Sequence, residues 1–197
     1  EIMDWAKGLR GKLPYTLPRG MVFQEGALLH RAATRAEMER TEGSYWTDRS
    51  TRRVLVRTAG GRDPNGCLME LTVRRACFRP LVRGLGFIQV RGFVFEQVGN
   101  CFPRPQEGAL SACAGHHWLI EENTVRMVNG IGIDVGNGWY GGACKPSEEG
   151  PGTNVGWNFV RRNRVSDTGV CGIAGLPWKN ALIEENELRR FTMYPVG

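Results

Sequence analysis

Lysine is scarce in this 197-residue chain. It occurs only as Lys7, Lys12, Lys145 and Lys179, so arginine carries most of the 26 basic residues. The arginines are scattered among acids, as in "RAEMERTEG", "IEENTVR" and "IEENELRR". The net charge of +6 therefore reads as a solvated surface rather than a phosphate track, and no nucleic-acid partner is expected. No apolar run approaches the ~18 residues of a membrane span, and no membrane partner is expected. The cysteines (67, 77, 101, 113, 144, 171) show no CxxC spacing, and His30, His116 and His117 complete no zinc pattern. Neither a metal nor a cofactor is expected. Clustered acids beside a basic residue, which a Ca²⁺-dependent polysaccharide lyase requires, are also missing. The cysteines read as small buried apolar residues. Cys101 and Cys113, which flank one loop, are the best disulfide candidates if the protein is exported.

What is present points to a β protein. Hydrophobic residues make up 41% of the chain, enough for a globular fold. The length allows one sizeable core or a core plus a small module. The 27 glycines against 10 prolines imply many tight turns. The chain opens on Glu1 and closes on "FTMYPVG" just after a strand-like segment. It reads as an excerpt of a longer protein, in which targeting signals are not visible.

"LIEEN" stands at 119–123 and again at 182–186. The echo extends to four segments: "FIQVRGFVFEQ" (87–97), "HWLIEENTVRM" (117–127), "WNFVRRNRVSD" (157–167) and "NALIEENELRR" (180–190). Aligned, they give an apolar column Val90, Ile120, Val160, Ile183; a turn column Phe93, Asn123, Asn163, Asn186; and a second apolar column Phe95, Val125, Val165, Leu188. The turn column steps by 30, 40 and 23 residues. The shortest step is taken as the unit, and "CFPRPQEG" (101–108) and "GNGWYGGACKPSEEGPGTN" (136–154) as insertions. "GIGI" (130–133) and "VCGI" (170–173) repeat in the same register. Twenty-three residues of short strands suit one coil of a parallel β-helix. Asn tolerates the left-handed backbone of a sharp corner, and stacked Asn amides hydrogen-bond along the axis.

Upstream the text changes. Residues 1–13 read as a connector and 14–66 as a small β-rich module inserted into or set before the coils of 67–197, which are incomplete at the C-terminus. Within the module the sequence predicts a hairpin at 21–32, a short helix at 34–40, a second hairpin at 44–58 around Asp48–Ser50, and a turn at 63–66. A strand at 67–75 leads into the coils.

"GLGFIQVRGFVFEQVGN", "FPRPQEGALSACAGHHWLIEENTV", "NGIGIDVGN" and "NRVSDTGVCGIAG" resemble the bacterial right-handed parallel β-helix proteins of the pectin-lyase-like superfamily, over about 85–197. The order of a small module followed by coils is similar to the β-helical β-xylosidases. The resemblance implies an all-β, right-handed parallel β-helix, a secreted or periplasmic location, and action on a polysaccharide or oligosaccharide. In those enzymes the carboxylate of an Asn-x-x-x-Asp-x-Gly coil is the nucleophile, and "NRVSDTG" places Asp167 there. Their acid/base glutamate lies on a later coil than this chain reaches.

A flat β wall suits an extended glycan, and inserted loops make the sides of a groove. The groove is expected at the insertions 101–115 and 136–154. Phe102, Trp118, Trp139, Tyr140 and Trp157 are near enough to stack on sugar rings. Glycoside hydrolysis needs two carboxyls, ~5–5.5 Å apart for retention or ~6.5–9.5 Å for inversion. Asp167 is the first candidate, with a turn cap as its structural alternative, and Asp134 the second, with a cap on the following Gly-rich loop as its alternative. They occupy different register columns and so different faces. His116, His117, Trp139, Tyr140 and Glu107 are candidate substrate contacts, although Glu107, like Glu96, is expected to be mostly solvated. The glutamates of "IEEN" read as wall-surface residues in cross-coil ion pairs with Arg161 and Arg162. A polysaccharide lyase and a non-catalytic carbohydrate-binding or adhesive β-helix remain alternatives.

Overall fold

A computed structural model describes residues 20–48, 50–100, 107–136, 156–175 and 179–191. They divide into two compact units, Gly20–Thr72 and the residues from Val73 onward. The smaller unit holds strands β1 (Val22–Gln24), β2 (Ala27–Leu28), β3 (His30–Arg31), β4 (Ser44–Asp48), β5 (Arg53–Arg57) and β6 (Met69–Leu71), with helix α1 (Arg35–Arg40) between β3 and β4. β2, β1 and β6 form one antiparallel sheet. In the other, β3 runs parallel to β4, and β4 pairs antiparallel with β5. Thr34 caps α1 by accepting Glu37 N–H at 3.1 Å, while Glu37 Oε2 accepts Ala33 N–H at 2.8 Å. Asp48 turns the second hairpin by accepting from Ser50 and Thr51; those hydrogen bonds, led by the Thr51 hydroxyl, hold its carboxyl down at about 2. Val22, Leu29 and Tyr45 make this unit's core, packed by Val56 and Met69. The strand expected to lead into the coils thus belongs here: Val22–Gln24 pairs residue for residue with Met69–Leu71.

The larger unit winds in coils. The first holds β7 (Gln89–Arg91), β8 (Val94–Val98) and β9 (Gly108–Ser111); the second β10 (Leu119–Glu121), β11 (Thr124–Val128) and β12 (Ile131–Asp134). The third holds β13 (Phe159–Arg161), β14 (Arg164–Thr168) and β15 (Cys171–Ala174), and the fourth β16 (Leu182–Glu184) and β17 (Glu187–Phe191). Like strands stack on like, in sheets ordered β7-β10-β13-β16, β8-β11-β14-β17 and β9-β12-β15, and every pairing is parallel. The fold is a parallel β-helix. Its register is the one the repeats predict: Val90, Ile120, Val160 and Ile183 pair in one column, and Phe95, Val125, Val165 and Leu188 in another. The 23-residue unit appears twice, as Gly108 pairs with Ile131 and Phe159 with Leu182.

The interior follows from that register. Ile120, Val125, Val160 and Trp118 are fully buried, with Val90 and Val165 nearly so. The asparagines form a continuous ladder. Asn123 Nδ2 donates to Asn163 Oδ1 at 3.0 Å, and Asn163 Nδ2 to Asn186 Oδ1 at 2.9 Å. Each Oδ1 also accepts a main-chain N–H from the coil before it: Phe93 N to Asn123, Asn123 N to Asn163, and Asn163 N to Asn186, all at 3.0 Å. One expectation is corrected. The left-handed residue at this corner is the one before the asparagine: Gly92, Glu122, Arg162 and Glu185 have φ between 53° and 74°. That residue reverses the chain, and the asparagine side chain then folds inward to bond the corner's amides.

A second correction concerns Glu121. It pairs in register with Arg91 and Arg161 and is only 3% exposed. Arg161 Nε and Arg162 Nη2 hold its Oε2 at 2.9 and 2.6 Å. Glu122, beside it, is held through both oxygens by Arg91 Nε and Nη2. The alternation of sign between coils was expected; the burial was not, because three guanidinium groups cover one carboxylate. Of the described cysteines, Cys113 is buried as expected and the other three are less deep. Cys77 is exposed, Cys67 and Cys171 are partly buried, and all three are free. Cys113 is disulfide-bonded, and Cys101 lies outside the described residues.

Candidate functional site: a charged groove on the β8–β11–β14–β17 face

β-strand alternation sends every second residue of a coil strand outward. On the sheet β8-β11-β14-β17 the outward columns are polar. Val94, Thr124, Arg164 and Glu187 form one column, and Glu96, Arg126, Ser166 and Arg189 the next. From these columns Thr124, Arg126, Arg164, Ser166, Glu187 and Arg189, together with Val165 and Arg190, line a groove of about 430 Å³. Its charges are braced across coils. Arg126 Nε binds Glu96 Oε2 at 2.7 Å, Arg164 Nε stands 3.6 Å from Glu187 Oε2, and Arg189 also contacts Glu187.

Asp167 is bonded to two residues that line this groove, Ser166 and Arg190, and sits at a left-handed kink of its strand with φ 54°. The left-handed column continues through Gln97, Met127 and Arg190, and the strand pairing skips it. Its side chain is 13% exposed. Arg190 grips both oxygens, Nε to Oδ1 at 2.6 Å and Nη2 to Oδ2 at 2.8 Å, and the Ser166 hydroxyl donates to Oδ2 at 2.8 Å. The Arg190 hydrogen bonds lower its pKa most, against an opposing effect of burial; Ser166 and the charges of Arg190 and Arg126 add to the lowering. Asp167 is therefore a carboxylate at neutral pH, fit to stabilise positive charge or attack, but not to donate a proton.

The other sequence candidates lie elsewhere. Asp134 is fully buried at the end of β12, beside Ser111 and Ala174 in a different sheet from Asp167. Its Oδ2 accepts the Ser111 hydroxyl at 3.1 Å and its Oδ1 the Gly136 N–H at 3.0 Å. It caps the start of the following loop, and the structure does not bring it to the groove that Ser166 and Arg190 line. Glu107, expected to be mostly solvated, is 3% exposed and paired with Arg79 Nη1 at 3.0 Å. Trp118 is wholly buried, its indole N–H bonded to Leu85 O at 2.7 Å, so it offers no face to a sugar. Trp139, Tyr140 and Phe102 lie outside the described residues, as do 101–106 of the first insertion and 137–154 of the second.

His116 and His117 form a site of their own. Their Nδ1 atoms are 2.9 Å apart. The His117 ring is stacked between Phe87 (centroids 4.9 Å) and Trp157 (5.6 Å, 7° between planes). Both faces of His117 are thus occupied by protein rings. Among the described residues no group of three or more His, Cys, Asp and Glu is assembled for a metal, and no helix is long and apolar enough to cross a membrane.

The arginine groove was missed because its letters do not repeat from coil to coil. Strand parity alone could have found it, since Arg164 and Ser166 must share the outer face if Val165 points inward.

No family model matches the chain, and no curated protein matches it. A solved structure, the complex of XylC with xylose, is similar in fold, with a TM-score of 0.64 and 20% sequence identity. The likeness covers 88% of this chain and 35% of that one, so the chain spans about a third of the neighbour's length.

Proposed function

We propose that this chain is a carbohydrate-engaging part of a β-helix protein, and that its reaction is glycoside hydrolysis with Asp167 as the reacting carboxylate. The observation that carries the reading is an ionised carboxylate bonded to Ser166 and Arg190, two residues that line a polar groove on a continuous β wall. The neighbour solved with xylose supports a sugar as the ligand class. A hydrolase needs a second carboxyl. One coil on from Asp167, its own column holds Arg190, so the partner has to come from another column. Glu187, which lines the groove, is a described candidate. An exported location accords with this reading.

A second reading has its own support. Arg190 and Ser166 occupy the Asp167 oxygens, as in a structural clamp, and the face then binds a glycan without cleaving it. The variant Asp167→Asn, made in the full-length protein and assayed on an aryl-glycoside panel and on oligosaccharides, separates the two. Loss of turnover with retained sugar binding supports hydrolysis. Turnover equal to wild type removes Asp167 from the reaction. Sugar binding without turnover in the wild type establishes the binding module. Products that absorb in the ultraviolet indicate a lyase.

A further inference from the structure

The corner where β10 begins carries a second kind of chemistry. His116 is fixed by its backbone, which bridges in parallel to Gly86 on one side and Gly156 on the other. Its ring occupies the space over Gly86: a Cβ there would stand 2.1 Å from His116 Cε1. The His117 ring is fixed by the stack of Phe87 and Trp157. The two imidazoles stand perpendicular, at 90°, with Nδ1 atoms 2.9 Å apart. Two donors are thus set in place before any ligand arrives.

We propose that His116 Nδ1 and His117 Nδ1 form a bidentate site for a late first-row divalent cation, with nickel(II) and copper(II) preferred over zinc(II). The argument is geometric. Metal–imidazole bonds of about 2.0–2.1 Å place two nitrogens about 2.9 Å apart when the ion holds them at a right angle, and about 3.3 Å apart in a tetrahedron. The observed 2.9 Å, which the rings hold as a hydrogen bond without an ion, is also the span of the right angle in tetragonal coordination, so the nitrogens need not spread to take such an ion. In the hydrogen-bonded pair, one imidazole carries its proton on Nδ1. Binding moves that proton to Nε2 of the same ring, so both lone pairs meet the ion and no proton is released. Among the described residues no third His, Cys, Asp or Glu side chain joins the pair. The remaining positions on the ion are for water or for an oxygen of another ligand. Lys179 Nζ, 5.2 Å from the Trp157 ring centroid, is a nearby positive charge that weakens the site without blocking it.

The test is calorimetric titration with nickel(II), chosen because the exposed Cys77 thiol reduces copper(II). His117→Phe keeps an aromatic ring in the stack while removing one nitrogen. Gly86→Ala keeps both histidines and displaces the His116 ring. The expected result is one ion per chain in the wild type, with zinc(II) weaker. Loss of either donor position weakens binding by about a hundredfold, the lower end of the usual gain from linking two ligands. Gly86→Ala should weaken it by at least about tenfold, because an imidazole pushed aside no longer converges on the ion. Circular dichroism of each variant checks that the coils remain folded. No one-to-one binding in the wild type overturns the proposal. So does binding unchanged in folded His117→Phe, or zinc(II) binding tighter than nickel(II).

Discussion

Asn163 is the middle rung of the ladder, and Asn163→Ala is the sharpest test of what holds the coils in register. Its side chain meets five hydrogen-bond contacts, with the two Nδ2 hydrogens shared among three oxygens. Oδ1 accepts from Asn123 N and Nδ2, both at 3.0 Å; Nδ2 donates to Ile120 O at 2.9 Å, Arg161 O at 3.1 Å and Asn186 Oδ1 at 2.9 Å. Asn163 and Ile120 are fully buried and Asn123 is 1% exposed. Truncation strands the Asn123 N–H where water does not reach, while the Ile120 carbonyl keeps its place in the parallel ladder with β13. A buried unsatisfied group costs about 1–3 kcal/mol. Against the ~5–15 kcal/mol that holds an ordinary domain together, that is a large share.

Asn186→Ala is the internal control. Asn186 bonds Asn163 N at 3.0 Å and Val160 O at 2.8 Å, but it is only partly buried, so water replaces part of what is lost. A cost of about 1–2 kcal/mol is expected. Urea unfolding followed by circular dichroism reads both, with the slope checked so that a midpoint change reports stability. An Asn163→Ala loss below about 1 kcal/mol, or one no larger than that of Asn186→Ala, would refute the claim that the ladder fixes the corners.

Two further predictions concern the wall. Gly132→Ala places a Cβ 2.6 Å from Gly172 O and 2.7 Å from Val165 Cγ1, so it should lose about 1–3 kcal/mol. Gly172→Ala meets only Leu188 Cδ2 at 3.0 Å and should lose less; thermal melts rank the pair. The Asp167–Arg190 pair makes stability depend on pH. The folded pKa of Asp167 lies below its unfolded value, so its contribution is present above the ordinary carboxylate range and is lost as pH falls through the lowered value. Arg190→Gln should therefore be less stable than wild type at neutral pH, with the difference closing in acid. An acid titration by circular dichroism checks this, and a constant difference down to the lowest pH would sink it.

The coils were legible because the inside of a β-helix is written in repeating letters. Val90, Ile120, Val160 and Ile183 serve one place in the cross-section, as do Asn123, Asn163 and Asn186, and each coil presents the same space. The left-handed residue escaped notice because it is defined by backbone, and Gly92, Glu122, Arg162 and Glu185 share no side-chain property. Glu121 looked like a surface residue because burying a carboxylate is costly. Arg91, Arg161 and Arg162 come from the coils above and below, and only the stack brings them together. The groove was placed at the insertions because inserted loops usually carry binding sites. The described groove instead lies on the regular wall, where Arg126, Arg164, Arg189 and Arg190 gather from three columns and three coils.

That contrast bears on how Asp167 should be weighed. Its column holds Gln97, Met127, Asp167 and Arg190, all left-handed with φ between 48° and 58°. Glycine would adopt this backbone without strain, and none of the four is glycine. The shared requirement is therefore a left-handed kink, and the kink does not select the side chain. An inward column such as Val125 and Val165 is constrained by packing, so a valine there says nothing about function. An outward kinked column is free to vary, and a carboxylate set there must be explained by what it touches. Arg190 and Ser166 explain the ionisation of Asp167. They do not require an aspartate at this position: the same kink carries an uncharged methionine one coil earlier, at Met127. The case for a role in glycan chemistry rests on that difference.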